Sequence, residues 1–111
     1  MALISPRKVI EAFIHAQGIP AENWGFSRAV QLPAFTLTIR QMLDALEEVA
    51  GPNVARRVRF EPDPTIVKIV YGWPTAFHSA RAERLGFTTD TNMQDVIRAF
   101  IADDLGGTFV E

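Results

Sequence analysis

Apolar residues recur at helical spacing in several stretches of the chain and alternate with polar ones in two others, which predicts a mostly helical fold with two short strands. Ser5 and Pro6 form a cap-plus-proline start: a serine hydroxyl accepts an otherwise unpaired amide hydrogen, and proline has none to leave unpaired. The helix they open carries Val9, Ile10, Phe13, Ile14 and Ala16 as one stripe and runs to about Gln17, where Gly18 and Pro20 end it. Residues 20–25 add a short turn. Arg28–Leu32 alternates, with Val30 and Leu32 on one face and Pro33 closing it, and reads as a first strand. Thr38 and Gln41 form a capping box ahead of Ile39, Met42, Leu43, Leu46, Val49 and Ala50, a second helix stopped by Gly51-Pro52. Arg56–Phe60 alternates again and reads as a second strand, with Val58 and Phe60 on one side and Arg57 and Arg59 on the other.

Asp63-Pro64 repeats the capped start before a brief apolar helix (Ile66, Val67, Ile69, Val70) that Gly72 ends. Ser79 caps a short helix with Ala82 and Leu85, terminated by Gly86. Thr91 and Gln94 form another Thr-x-x-Gln box, opening a last helix whose stripe includes Val96, Ile97, Phe100, Ile101 and Leu105. The expected fold is an α/β (α+β) lobe, mostly helical, in one domain over residues 1–111. Its two strands are expected to pair in parallel, because a crossover helix follows each. Met1 leads almost directly into the first helix with no preceding strand, a start that suits a domain excised from a longer protein.

The 111 residues are 48% hydrophobic and 22% charged, the balance of an ordinary compact domain with one core. A chain of this size should hide roughly two-thirds of its unfolded surface without a metal or disulfide. No cysteine is present, which removes thiolate metal sites and thiol nucleophiles. The net charge of -2 and the scattered basic residues argue against nucleic acid. Arg56, Arg57 and Arg59 read as the solvated face of a strand. No apolar run is long enough to span a membrane, and the chain reads as cytoplasmic.

The chemistry points outward from this chain. The glycines at 18, 25, 51, 72, 86, 106 and 107 fall at helix ends or turns, and none forms the Gly-x-Gly-x-x-Gly of a dinucleotide site. The single tyrosine, Tyr71, has Thr75 four positions on, so no Tyr-x-x-x-Lys proton relay is encoded. His15 and His78 are sixty-three positions apart without the carboxylates of a triad or metal site, and read as structural. No residue is assigned a catalytic, metal-binding or cofactor-binding role. Asp103 and Asp104 sit where the helix dipole disfavours negative charge, read as acids at a frayed end. Trp24, Trp73 and Phe77 lie near turns and read as core or domain-interface packing.

Four segments in order resemble the carboxy-terminal end of the extended short-chain dehydrogenase/reductases, the NAD-dependent epimerase/dehydratase family. Ile4–Ala12 resembles the helix after that family's His-Val-x-Asp-type run, and Ala29–Pro33 followed by Thr36–Ile39 resembles its next strand and helix start. Arg59-Phe60-Glu61-Pro62-Asp63 resembles its Arg-Arg-x-Gly-Asp run. Arg81-Ala82-Glu83-Arg84-Leu85-Gly86-Phe87 resembles its closing Lys-Ala-x-x-x-Leu-Gly-Trp signature. The Ser-Pro-Arg start, the Glu-Pro-Asp-Pro run and Tyr71-Gly72-Trp73-Pro74 are most similar to a branch that oxidises a sugar acid such as D-erythronate with NAD. Phe60 stands where nucleotide-sugar members carry a phosphate-gripping arginine, which implies a small, non-nucleotide substrate. His78 stands where relatives tend to have an aspartate, and Ser79 takes over the capping.

The resemblance implies a substrate-binding lobe whose Rossmann domain, with NAD and the Tyr/Lys pair, lies outside this chain; the chain alone would be inactive. It implies a sugar or sugar-acid substrate, with Ser5 and Arg7 at the cleft-facing helix start as the leading contacts and Arg28 and Arg59 as further ones. The alternatives are the lobe of a nucleoside-diphosphate-sugar epimerase, or a freestanding interaction module without catalysis. Exposed former-interface residues would also favour self-association.

Overall fold

A computed structural model describes residues 1–111. The chain forms β1 (Ala2–Leu3), α1 (Pro6–Gly18), a 3-10 turn (Ala21–Trp24), β2 (Phe35–Thr36), α2 (Ile39–Ala50), α3 (Pro52–Ala55), α4 (Pro64–Val70), α5 (Ala80–Arg84) and α6 (Met93–Asp104). The helix starts follow local chemistry. Ser5 Oγ accepts from the Lys8 amide, and Thr38 and Gln41 complete their capping box, at 3.1 Å from the Gln41 amide to Thr38 Oγ1 and 2.8 Å from the Thr38 amide to Gln41 Oε1. Asp63 and Ser79 cap α4 and α5 as their sequence positions predict. At α6 the cap is one residue later than predicted: Asn92, not Thr91, accepts from the Asp95 amide at 2.8 Å. Asparagine is at least as good a cap as threonine, and this register places Asp95 in the first turn, where the helix dipole favours it.

Both predicted strands are corrected. Arg28–Leu32 has no paired neighbour; Val30 and Leu32 pack as extended chain on a hydrophobic cluster, and Pro33 cannot donate to a ladder. Pro52 starts α3 as well as ending α2, and Arg56 and Arg57 continue its turn. Val58 and Phe60 are then left in irregular, exposed chain. The sheet that does form is antiparallel, not parallel. It joins the leading segment to β2 with Ala2 opposite Thr36 and Leu3 opposite Phe35, so a strand precedes the first helix after all. Met1 and Leu37 extend it by exchanging bonds through the terminal ammonium (2.9 Å) and the Leu37 amide (3.0 Å).

The interior is divided in two. Ala12, Trp24, Ala82 and Phe87 form one buried cluster, with Trp24 and Phe87 in edge-to-face contact at 6.2 Å. Elsewhere α2 packs on α3 and α6, where Ala45, Ala50 and Ala99 let helix backbones approach closely. The predicted compact shape with one core is not what forms. A compact 12.4 kDa chain would expose about 6,100 Å², whereas this one exposes 8225 Å². Its radius of gyration is 16.9 Å against about 13 Å for a compact chain, in a slab of 51 × 37 × 18 Å. Much of the excess lies in residues 56–78, every one of which is exposed.

Replacing Thr38 by Ala removes half of the capping box and should cost about 1 kcal/mol in urea unfolding. Phe87→Ala, which empties the centre of the first cluster, should cost about 3–5 kcal/mol.

Candidate functional site

The start of α1 is held by two carboxylates from the far end of the chain. Ser5 is 2% exposed, and Asp90 grips it twice: Oδ2 accepts from the Ser5 amide at 2.7 Å and Oδ1 from the Ser5 hydroxyl at 2.8 Å. The same hydroxyl accepts from the Lys8 amide at 3.2 Å, so its only hydrogen and one lone pair are both committed. Arg7 forms a two-pronged pair with Asp103, Nε to Oδ2 at 2.9 Å and Nη2 to Oδ1 at 2.8 Å. That hydrogen bonding, with the opposite charge behind it, holds the Asp103 carboxyl below the usual 3.8 and raises Arg7 further above its ordinary value.

Arg7 borders an open groove of about 560 Å³ between α1 and α6, shared with Lys8, Thr89, Asp95 and Arg98. Each cation in it already has a carboxylate: Lys8 meets Glu11 at 3.0 Å and Arg98 meets Asp95 at 2.9 Å. Bonds from Asn92 and then from Arg98 hold Asp95 below its usual range. An incoming carboxylate would find Ser5 occupied by Asp90, while Arg7 retains Nη1 as a donor outside its ion pair.

Of the other two predicted contacts, Arg28 is exposed in the irregular stretch after the 3-10 turn, and Arg59 lies in the exposed residues 56–78, where it meets Glu61 at 3.8 Å. Neither bonds to Ser5 or Arg7. His15 donates through Nε2 to the Leu85 carbonyl at 2.7 Å and meets Phe87 edge-on, while His78 meets Glu83 at 3.1 Å. Three groups were missed or misread from sequence. Asp90 gave no local signal, since its bond spans 85 positions. Asp103 was misread as a frayed acid, although its dipole-disfavoured position pointed to a cationic partner. Arg81 reaches the carbonyls of Trp24 and Ser27, tying α5 to the turn below it.

No family model matches the chain. Two D-erythronate dehydrogenases do: that of Haemophilus influenzae is 38% identical over 103 residues, and that of Cupriavidus necator is 39% identical over 101. These matches cover 93% and 91% of this chain but only 33% and 31% of the two enzymes. The crystal structure of a nucleoside-diphosphate-sugar epimerase from Agrobacterium tumefaciens superposes with a TM-score of 0.88 at 33% identity, over 96% of this chain and 31% of that one. The chain is thus similar to a part, about a third, of two D-erythronate dehydrogenases and of a nucleoside-diphosphate-sugar epimerase. It spans about a third of the length of the curated relatives it matches.

The family-like run Arg81–Phe87 has a physical basis in the fold. Ala82 is fully buried, Phe87 fills the core, and Gly86 adopts φ +85° with His15 Nε2 only 3.0 Å from where a Cβ would stand. The run Arg59–Asp63, by contrast, touches little within this chain and ends in the α4 cap.

Because Asp103 and Asp95 ionise more readily when folded, their contribution to stability is present above the usual 3.8 and is lost as pH falls through their lowered values. Thermal unfolding followed from neutral pH down to about 2 should show that loss, and Asp103→Asn should flatten part of it. Asp90→Ala strands the buried Ser5 donors and should cost about 2 kcal/mol in urea unfolding at neutral pH.

Proposed function

We propose that the chain is the substrate-covering lobe of an NAD-dependent oxidoreductase acting on a small sugar acid of the D-erythronate type. The observation that carries this is the outer face of α1, where Ile10, Phe13 and Ile14 stand 60%, 74% and 67% exposed directly behind Ser5 and Arg7. Three large apolar groups at helical spacing are placed to pack against another layer. A nucleotide-binding Rossmann domain set against this face would bring the start of α1 to the mouth of its cleft. The identity to D-erythronate dehydrogenases supports the substrate class, as does Phe60 in place of a phosphate-binding arginine.

The residues present do not fit NAD. The glycines at positive φ, 25, 51, 86, 106 and 107, lie at helix ends and turns, none in a strand-to-helix phosphate loop, and Tyr71 has no lysine four positions on. The cofactor and the proton relay therefore belong outside this chain, in the cytoplasmic enzyme of which it would form part. In the assembled site Arg7 would offer Nη1 to the substrate carboxylate, with Arg28 and Arg59 as further cations and Ser5 acting by seating the helix start.

Calorimetry of the 111-residue chain should give no heat with NAD or NADH and no turnover of D-erythronate. Any binding of D-erythronate should be weak and lost in Arg7→Ala. Micromolar affinity for the nicotinamide cofactor would overturn the assignment.

A further inference from the structure

A second opening, of about 760 Å³, lies where the end of α1, the 3-10 turn and α5 meet. Its walls are largely apolar, with Ile14, Ile19, Trp24 and Phe26 among twelve lining residues, and Arg81 and Arg84 stand in them three positions apart on α5. None of the twelve is an aspartate or glutamate. The contrast with the groove beside Arg7 is one of charge: there every cation has its carboxylate, and here neither guanidinium has one. Arg81 is partly buried and commits Nη2 to the carbonyls of Trp24 and Ser27, which are dipoles and leave its charge unneutralised. Arg84 makes no ion pair, and Glu83, the acid between them in sequence, is turned to His78 at 3.1 Å. The carboxyl ends of α1 and α5 border the opening, but each helix end carries only about half a negative charge, so the two together offset about one guanidinium. A net positive charge remains on two cations that repel each other across one helix turn.

We propose that this opening binds a small organic anion, a phosphate monoester or a carboxylate on a ring-sized apolar body. Its volume is that of small-molecule sites, which combine apolar walls with a few polar groups. Nε and Nη1 of Arg81 and the whole guanidinium of Arg84 are the donors left for an oxyanion. Phe26, fully exposed beside them, is available to the apolar part. An acidic side chain of another protein would match the charge but leave the concave apolar walls unfilled. The opening shares no residue with the groove beside Arg7, and the proposal does not rest on the function proposed above.

Calorimetric titration of the full chain with phenyl phosphate, benzoate and inorganic phosphate at neutral pH tests this. Phenyl phosphate or benzoate should bind saturably at one site, about tenfold more tightly than inorganic phosphate because the ring adds buried apolar surface; the tighter of the two identifies the head group. Arg84→Ala should weaken that binding about tenfold while keeping the thermal unfolding transition, since the side chain forms no polar contact within the chain. Arg7→Ala should leave it unchanged, and Arg84→Ala should leave any D-erythronate binding unchanged, so this site and the Arg7 contact fail separately. Absence of saturable binding by both aromatic anions would overturn the proposal. So would equal affinity for inorganic phosphate, an affinity that Arg84→Ala leaves intact, or capture of a hexaglutamate peptide in place of both small anions.

Discussion

Two carboxylates flanking and ending α6 hold the start of α1, and the arrangement of the chain depends on that grip. Asp90 fixes Ser5 before α6 begins, and Asp103 reaches Arg7 from its last turn. The consequence is that α1, which contributes Ala12 to the first cluster, is tied to α6, which contributes Ala99 to the second packing site. Neither interior is large enough to dominate, so polar connections between them matter more than they would around one continuous core. The two grips also differ in kind. Ser5 is withdrawn from water and its donors depend on Asp90, whereas Arg7 and Asp103 are about half exposed and exchange readily with solvent.

What the sequence disclosed was whatever is decided within a few residues. Ser5, Thr38, Asp63 and Ser79 cap helices because a short polar side chain next to an apolar repeat satisfies amides two or three positions away. The missed strands show the limit of that reasoning. Alternation at Arg28–Leu32 and Arg56–Phe60 described which way side chains could face, but a strand needs a neighbour, and the only neighbour that Phe35–Thr36 found was the short leading segment. Compactness was misjudged for the same reason, since apolar composition does not say whether Ile10 or Ile66 meets a partner. At the candidate site, Ser5 and Arg7 were legible from their place at a helix start. Their partners were not, because contacts across 85 and 96 positions leave no trace in spacing.

The exposed surfaces and the likeness to longer relatives bear on each other. The matched relatives are about three times as long, and most of this chain's exposed large apolar residues fall on α1, α4 and the loop after α4. Its buried positions are mostly alanines. Small residues inside and large ones outside invert the usual arrangement of a self-sufficient domain. The proposed substrate-covering lobe would show that inversion, with the large side chains of α1 serving a neighbouring layer.

The slab is 18 Å thick between its outermost Cα atoms, room for about two helix layers with axes about 8–10 Å apart. Every helix therefore keeps one flank in water, and no backbone amide lies far from it. Under native conditions the chain should lack the slowly exchanging nucleus that thicker proteins retain, with hydrogen exchange proceeding through many small openings of similar, low free energy.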